Sequence, residues 1–485
     1  MRRLLCSGFL LSPLGRRALS VSPCPHTSPP SSPPPPPPGL SASIGETTTS
    51  AATAAKPSGR VDPEGGGRSD CARPARRHFP GGPSRKGAGS TEPPRVARAL
   101  VLEKTTRYEF EQQRYKCAAL SEEDLRQLLA LRGSNYGGLL ERYHVHRKHV
   151  LHLISSLQES GVEVRVVKRH DYCEHDVSWA DTIISAGGDG TLLLAASKVH
   201  DPRKLVIGVN TDPERSQGHL CLPVCYTTNM PLALRKLQKG DFRYLWRQRI
   251  RVETDGSGLG LVPVDLHEQQ LSLAQHRSAH LAAAAKHAGT TLGLVGGPKR
   301  LPVCALNEVY IGESISSRRS HLPFTCAPRA SYYELSVDGG PWEKQKSSGV
   351  SVCTGSGSSA WSYNINKIAS QTVQDVLKIG ATRFNSTCET ADLCLSTLVM
   401  ERYCSSLVFD PEEPQMFFSI REPIVNRVFS NSRPHGHATR MTIRSRCWDA
   451  CLVLDGGTSF EFNDGAMATL STHPDDALKS LHLDP

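Results

Sequence analysis

Gly187-Gly188-Asp189-Gly190-Thr191 stands between two apolar runs, DTIISA before it and LLLAAS after it. The first belongs to a strand expected over Trp179–Ser185, and the second to a helix expected over Thr191–Ser197. Glycines at such a strand-to-helix turn let backbone N–H groups approach phosphate oxygens, and the helix N-terminus adds a dipole that favours anions. An aspartate inside the turn can face a metal bridging phosphates or a hydroxyl nucleophile. The plainer reading of GGDG is a tight turn closed by an Asx hydrogen bond. Its position at the carboxyl end of a strand, where open α/β sheets take ligands, favours the functional one. The chain has no GxxxxGK[ST] run, which excludes the P-loop route to phosphoryl transfer.

The surrounding pattern alternates. Ala97–Glu103 reads as a buried first strand. Ser121-Glu-Glu-Asp124 is a capping-box variant opening a helix over Leu125–Leu131. Val150, Leu151, Ile154 and Leu157 have helical spacing within His144–Glu159; Gly161 ends that helix, and strands follow at Val162–Val167 and Leu205–Val209. Strands alternating with helices imply an α/β fold with a mainly parallel sheet. Beyond about Gly240 the runs become short and β-like: Leu261–Val264, Val303–Ile311, Ser331–Val337, Gly349–Cys353, Met416–Ile420, Met441–Ile443 and Leu452–Leu454. One helix is expected among them, over Ala360–Ile379. The expectation is an α/β domain over 97–240 and a β-rich domain over 241–457, with the catalytic cleft between them.

Composition matters mainly for what precedes this body. The 485 residues carry a formal charge of +10, which invites a nucleic-acid reading. Residues 1–96 hold 13 Lys+Arg against 5 Asp+Glu, leaving 44 against 42 for the rest, so the body is near neutral and no nucleic-acid partner is expected. The first acid is Glu46, and Arg2, Arg3, Arg16 and Arg17 lie among Leu, Ser and Ala. Arg-rich, Ser-containing and acid-free is the make-up of a mitochondrial transit peptide, recognised by the mitochondrial import machinery. The competing secretory reading is weakened by Ser7, Gly8, Ser12 and Pro13, which interrupt the apolar run. Pro33–Pro38 and the Gly/Ser/Arg-rich stretch 47–94 bury too little apolar surface to fold and read as a linker. No apolar run approaches the roughly 20 residues of a membrane span, so a soluble protein is expected. The 15 cysteines form no CxxC pair and no Cys/His set at zinc spacing, and are expected as free thiols. No all-protein metal site is expected.

Two further motifs carry chemistry. Cys353-Thr-Gly-Ser-Gly-Ser-Ser-Ala-Trp361 follows the strand GVSVC. Gly355, Gly357 and Ala360 spell GxGxxA, a weak dinucleotide fingerprint, but the acid required about 20 residues later on a second strand is missing. Its Thr354, Ser356, Ser358 and Ser359 hydroxyls with Trp361 suit hydrogen bonding and stacking around an adenine or ribose. Asn307-Glu308 interrupts an apolar strand; Glu can accept both hydroxyls of a ribose and Asn can pair with an amide, against a plain reading of a solvent-facing Glu and a turn Asn.

Together and in this order, these motifs resemble the ATP-NAD kinase family. The resemblance runs from about Ala97 to the C-terminus. It rests on Gly187–Thr191, Gly208-Val-Asn210-Thr211, Asn307-Glu308, the Ser/Thr/Gly run ending at Trp361, and Asp455-Gly456-Gly457. GGDGT alone is shared with diacylglycerol and sphingosine kinases, so a lipid kinase is one alternative; an NAD-dependent oxidoreductase, from GxGxxA, is another. The resemblance implies a Rossmann-like domain plus a β-sandwich-like domain, with 458–485 returning to the first, assembled as a homodimer. It implies transfer of a phosphoryl group from ATP, or in some members polyphosphate, with Mg²⁺, to the 2′-hydroxyl of the adenosine ribose of NAD, here in the mitochondrial matrix. By that resemblance Asp189 orients or deprotonates the hydroxyl, and Gly187, Gly188, Gly190 and Thr191 form the phosphate turn. Asn307 and Glu308 hold the nicotinamide-side ribose, and Ser356, Ser359, Ala360 and Trp361 surround the adenine. Asn210 and Asp455 support the cleft. The chain departs from the family in having Gly355 for its usual Pro, Trp361 for its usual Tyr and Ser348-Gly349 for an acidic-Gly turn.

Overall fold

The Val/Ile-rich strands Thr182–Gly187 and Leu205–Asn210 are buried at every position, as expected where a parallel sheet is covered on both faces. The computed structural model describes residues 94, 96–114, 120–256, 259–272, 276–287, 298–314, 330–383, 392–429 and 433–485. The presequence, the polyproline tract, the linker up to Pro93 and residues 318–329 lie outside the described residues. The first sheet has six strands in the order Glu163–Lys168, Arg98–Glu103, Thr182–Gly187, Leu205–Asn210, Leu478–His482, Arg243–Arg247. The first four are parallel; Leu478–His482 runs parallel to Leu205–Asn210 and antiparallel to Arg243–Arg247. Both of the last two strands come from beyond residue 240.

Helices cover the two faces. Val150, Leu153 and Leu157 of Tyr136–Glu159 and Met230, Ala233 and Leu237 of Met230–Lys239 pack on one face. Leu192 and Ala195 of Asp189–Ser197 and Val177 of Glu174–Trp179 pack on the other. The capping box over 121–124 is present in altered form. Ser121 Oγ accepts the Asp124 N–H at 3.1 Å and donates to Asp124 Oδ2 at 2.6 Å, so the carboxylate takes the hydroxyl rather than a backbone N–H. Trp179 closes a helix instead of opening a strand: Ala180 N–H bonds Asp176 O, and the indole lies 4.2 Å from the Arg165 guanidinium.

The remainder is two antiparallel sheets. Six strands run in the order Glu343–Ser347, Ser331–Val337, Arg440–Ser445, Ala466–Thr472, Ile250–Gly256, Lys299–Arg300. Seven run His435–Ala438, Met416–Arg421, Gly349–Cys353, Glu308–Glu313, Ala450–Leu454, Thr458–Phe462, Leu259–Asp265. Alternate residues of these strands meet in one core containing Val252, Tyr333, Val352, Phe418, Phe460, Phe462 and Leu470. Each such large side chain contributes about 1.5–3 kcal/mol by leaving water. The fold is thus mixed α/β with a β-sandwich-like part.

Two further expected elements differ. The strand expected over Val303–Ile311 starts only at Glu308, because the N–H groups of Leu306, Asn307 and Glu308 are taken by the Asp455 carboxylate rather than by a ladder. The single helix expected over Ala360–Ile379 is two, Trp361–Asn366 and Ser370–Arg383. It breaks where Lys367 turns extended (φ −62°, ψ 142°) and the Asn366 side chain bonds Ser362 O and Ser419 Oγ. A third helix, Asp392–Ser406, follows these two.

Because Leu478–His482 lies inside the first sheet, deleting residues 478–485 removes a ladder partner from two strands at once. The truncated chain is expected to lose cooperative urea unfolding and near-ultraviolet circular dichroism; a sharp, native-like transition would contradict the placement.

Candidate functional site

The Thr182–Gly187 strand leads straight into the Asp189–Ser197 helix. Gly188 is its N-cap, extended at φ −98° and ψ −168°, and no side chain caps the helix. The first-turn N–H groups of Asp189 and Gly190 therefore have no intrahelical partner and form an anion-binding end. A Cβ on Gly187 would lie 2.3 Å from Thr191 Oγ1 and 2.8 Å from Thr191 Cβ, so this position admits only glycine. The Asp189 carboxylate is fixed by the next loop: Oδ2 accepts the His219 N–H at 3.1 Å and Oδ1 the Leu220 N–H at 2.9 Å. Asn210, paired in register with Gly187, shapes that loop. Its Nδ2 donates to Ser216 O at 2.8 Å and its Oδ1 accepts the Asp212 N–H at 3.1 Å.

Asp455 organises the second constellation. It sits in the left-handed region at φ 49°, and its carboxylate accepts the N–H groups of Leu306 (2.7 Å), Asn307 (2.7 Å) and Glu308 (3.0 Å). Leu306 packs with Leu192 and Leu220, beside the glycine turn. Asn307 is buried and its Oδ1 has no hydrogen-bond partner; Glu308 is half-buried, and its Oε2 lies inside with none either. Burial pushes the Glu308 carboxyl up to about 8, with the nearby Asp455 charge adding to the shift. Burial likewise raises Asp455 to about 6, opposed by the three N–H bonds and by Arg249.

The Ser/Thr/Gly run closes over Asn307. Thr354 N–H donates to Asn307 O at 2.9 Å, and Thr354 Oγ1 to Leu306 O at 2.5 Å. A Cβ on Gly357 would meet Asn307 O at 2.1 Å, and one on Gly355 would meet Asp410 O at 2.1 Å, which excludes a proline at 355 in this chain. Ser358 Oγ bonds Gly355 O at 2.7 Å. Thr354 and Ser358 therefore serve the loop itself, Ser356 Oγ accepts from a buried arginine, and Ser359 Oγ reaches Ser356 O at 3.5 Å. The GxGxxA reading fails on topology: Gly349–Cys353 is antiparallel to both neighbours, and a six-residue helix follows a single 3₁₀ turn, so there is no βαβ unit. Trp361 packs against Tyr310 (ring centroids 5.4 Å apart) with the Arg421 guanidinium 5.0 Å from its ring; Ala360 precedes it as the helix N-cap.

Sequence reading missed two arginines between these groups. Arg247 is 7% exposed; its Nη1 donates to Ser356 Oγ at 3.2 Å, its Nε has no partner, and Asp189 is among the acids acting on it. Burial lowers its pKa to about 10. Arg249 donates to Ala196 O (3.2 Å) and Val199 O (2.7 Å) at the far end of the Asp189–Ser197 helix, and to Asp476 O. The only sequence trace of either is RQR at a strand end. A cavity of about 280 Å³ is lined in part by Thr105, Arg169, His170 and His267, and none of the motif residues lines it.

A parallel sheet, an uncapped helix end at a strand's carboxyl end and a fixed carboxylate make an α/β arrangement of the kind that can hold a phosphorylated ligand. No family model matches the chain. It is 58% identical over 404 residues to "NAD kinase 2, mitochondrial" of Xenopus tropicalis, covering 82% of this chain and 93% of that protein. To the Homo sapiens protein of the same name it is 56% identical over 435 residues, covering 89% and 93%. The solved structure of an NAD kinase from Archaeoglobus fulgidus in complex with ATP aligns at 16% identity with a TM-score of 0.42, covering 80% of this chain and 93% of that one, a score too low to build on. The chain belongs to the NAD kinase family.

Glu308 and Asp455 hold protons in the folded chain that the unfolded chain has already released, so their contribution to stability is complete below about pH 4. It is lost as pH rises through 6 for Asp455 and through 8 for Glu308. Glu308→Gln is expected to remove the upper part of this fall. Between pH 6 and 8.5 wild-type stability should drop by about 2 kcal/mol more than the variant's in urea unfolding. Parallel curves would show that Glu308 is not so enclosed.

Proposed function

We infer that this chain phosphorylates NAD to NADP, and does so in mitochondria, as its relatives' names state of them. The acceptor is the 2′-hydroxyl of the adenosine ribose and the donor is ATP. The observation that carries the site assignment is a set of orphaned polar atoms beside the glycine turn: Asn307 Oδ1, Glu308 Oε2 and Arg247 Nε. Buried polar atoms without partners are costly unless a ligand completes them.

In this reading the N–H groups of the Gly187–Thr191 turn hold the donor phosphates. Asp189, kept in place by His219 and Leu220, faces the 2′-hydroxyl. The hydroxyl oxygen bonds to the terminal phosphorus as the bridging P–O bond breaks, ADP leaves, and the proton passes to the Asp189 carboxylate. Asn307 and Glu308 hold the nicotinamide-side ribose. Ser356, Ser359, Ala360 and Trp361 border the adenine. Asn210 and Asp455 act at one remove, by shaping the loops that carry these groups. Two chains assemble as a homodimer.

A divalent cation such as Mg²⁺ fits only as a companion of the donor phosphates. Among the described residues no three His, Cys, Asp or Glu side chains are grouped to hold one, whereas Asp189 offers oxygen lone pairs of the hard kind this ion takes. When bound it neutralises phosphate charge.

Asp189→Asn is expected to lower kcat for NADP formation by more than about 100-fold, with NAD affinity changed less than threefold in equilibrium titration. Near-normal turnover in the folded variant would refute the role of Asp189. ADP release driven by a lipid in place of NAD would refute the substrate.

A further inference from the structure

The strand order places the Arg98–Glu103 and Thr182–Gly187 strands side by side, while the chain leaves the first toward one edge of the sheet and the second toward the other. Their carboxyl ends therefore frame a topological switch point, the crevice in which open parallel sheets take ligands. Gly187 ends one of these strands, and Lys104 is the first residue after the other. The Lys104 N–H donates to Ala186 O at 3.1 Å, and a Cβ on Gly187 would lie 2.9 Å from Lys104 Cβ. The lysine thus springs from the edge of the glycine turn.

Its side chain crosses the crevice. Lys104 Nζ lies 3.9 Å from Asp212 Oδ2, and Asp212 follows the Leu205–Asn210 strand, two places along the sheet from the lysine's own. Two strand spacings are roughly 10 Å, so the extended side chain has to pass over the carboxyl end of Thr182–Gly187 to get there. The ammonium is thereby carried over the glycine turn. The contact with Asp212 is a loose one, and the lysine keeps 26% of its side chain exposed. Burial lowers its pKa, with Asp212 opposing and Arg142 assisting, so a second anion at this place would be welcome to it.

We propose that Lys104 binds the donor's terminal phosphates from the side opposite the helix N-terminus. This rests on reading Gly187–Thr191 as the donor turn. The turn offers only backbone dipoles, and Asp189 and Asp212 are both acidic. A triphosphate needs full positive charge there as its terminal group transfers. Arg247 donates to Ser356 on the Ser/Thr/Gly loop, whereas Lys104 springs from the edge of the glycine turn itself.

The test uses the full chain carrying Lys104→Met, Lys104→Arg or Asp212→Asn, with NADP formation followed at varied ATP and at varied NAD and ATP binding titrated without NAD. Lys104→Met is expected to raise KM and Kd for ATP about tenfold or more, with KM for NAD within twofold; Lys104→Arg should recover most of the loss. Asp212→Asn should leave ATP affinity unchanged or tighter. If Lys104 merely anchored the loop, Asp212→Asn would reproduce Lys104→Met, and that result overturns the proposal. So does a Lys104→Met protein with wild-type KM and Kd for ATP. Failure of the kinase reading shows separately, as absence of NADP from the wild-type chain.

Discussion

One carboxylate in a left-handed turn carries the site. Asp455 gives up an unstrained backbone and a hydrated charge to receive three consecutive N–H groups from Leu306, Asn307 and Glu308. Those bonds prevent the segment from continuing as a strand. They leave the Asn307 and Glu308 side chains buried with unfilled hydrogen-bonding capacity. The Thr354–Gly357 loop then stacks on the Asn307 carbonyl at a distance that no Cβ would permit. Leu306, held by the same carboxylate, packs on Leu192 of the helix that begins at Asp189. Three segments far apart in sequence are thus referred to one another through a single side chain.

The arginines at 247 and 249 complete the join. They leave one stretch of chain at the boundary between the parallel sheet and the antiparallel ones. Arg249 caps the carbonyl end of the Asp189–Ser197 helix. Arg247 reaches the Ser/Thr/Gly loop while feeling the charge of Asp189. A buried guanidinium is costly unless it is fully satisfied, and Arg247 is not: its Nε stays without a partner. That residual demand lies where an anionic substrate would be received.

What was legible in the sequence was what local rules decide. The strand–glycine–helix junction, the alternation of strands and helices up to Asn210, and the polar interruptions at Asn307-Glu308 and 354–361 all announce themselves by pattern. What was not legible depended on partners about fifty to a hundred and fifty residues away. Val303–Ile311 has a strand's composition, yet Asp455 takes its N–H groups. The Ala360–Ile379 run has a helix's composition, yet Asn366 turns its amide to Ser419 on a neighbouring strand and the helix stops. Arg247 and Arg249 look like surface residues of a charged strand end because nothing local marks them as buried. The overall charge misleads for a related reason: most of it lies before residue 97, outside the folded body.

The central claim is that this cluster directs a phosphoryl group to one hydroxyl of NAD. Phosphorus-31 NMR of the product formed from NAD, ATP and Mg²⁺ tests it most directly. The account predicts a single new phosphomonoester on the 2′-oxygen of the adenosine ribose, formed one for one with ADP. Phosphate on the nicotinamide ribose, or ADP released with no phosphorylated NAD, would contradict it.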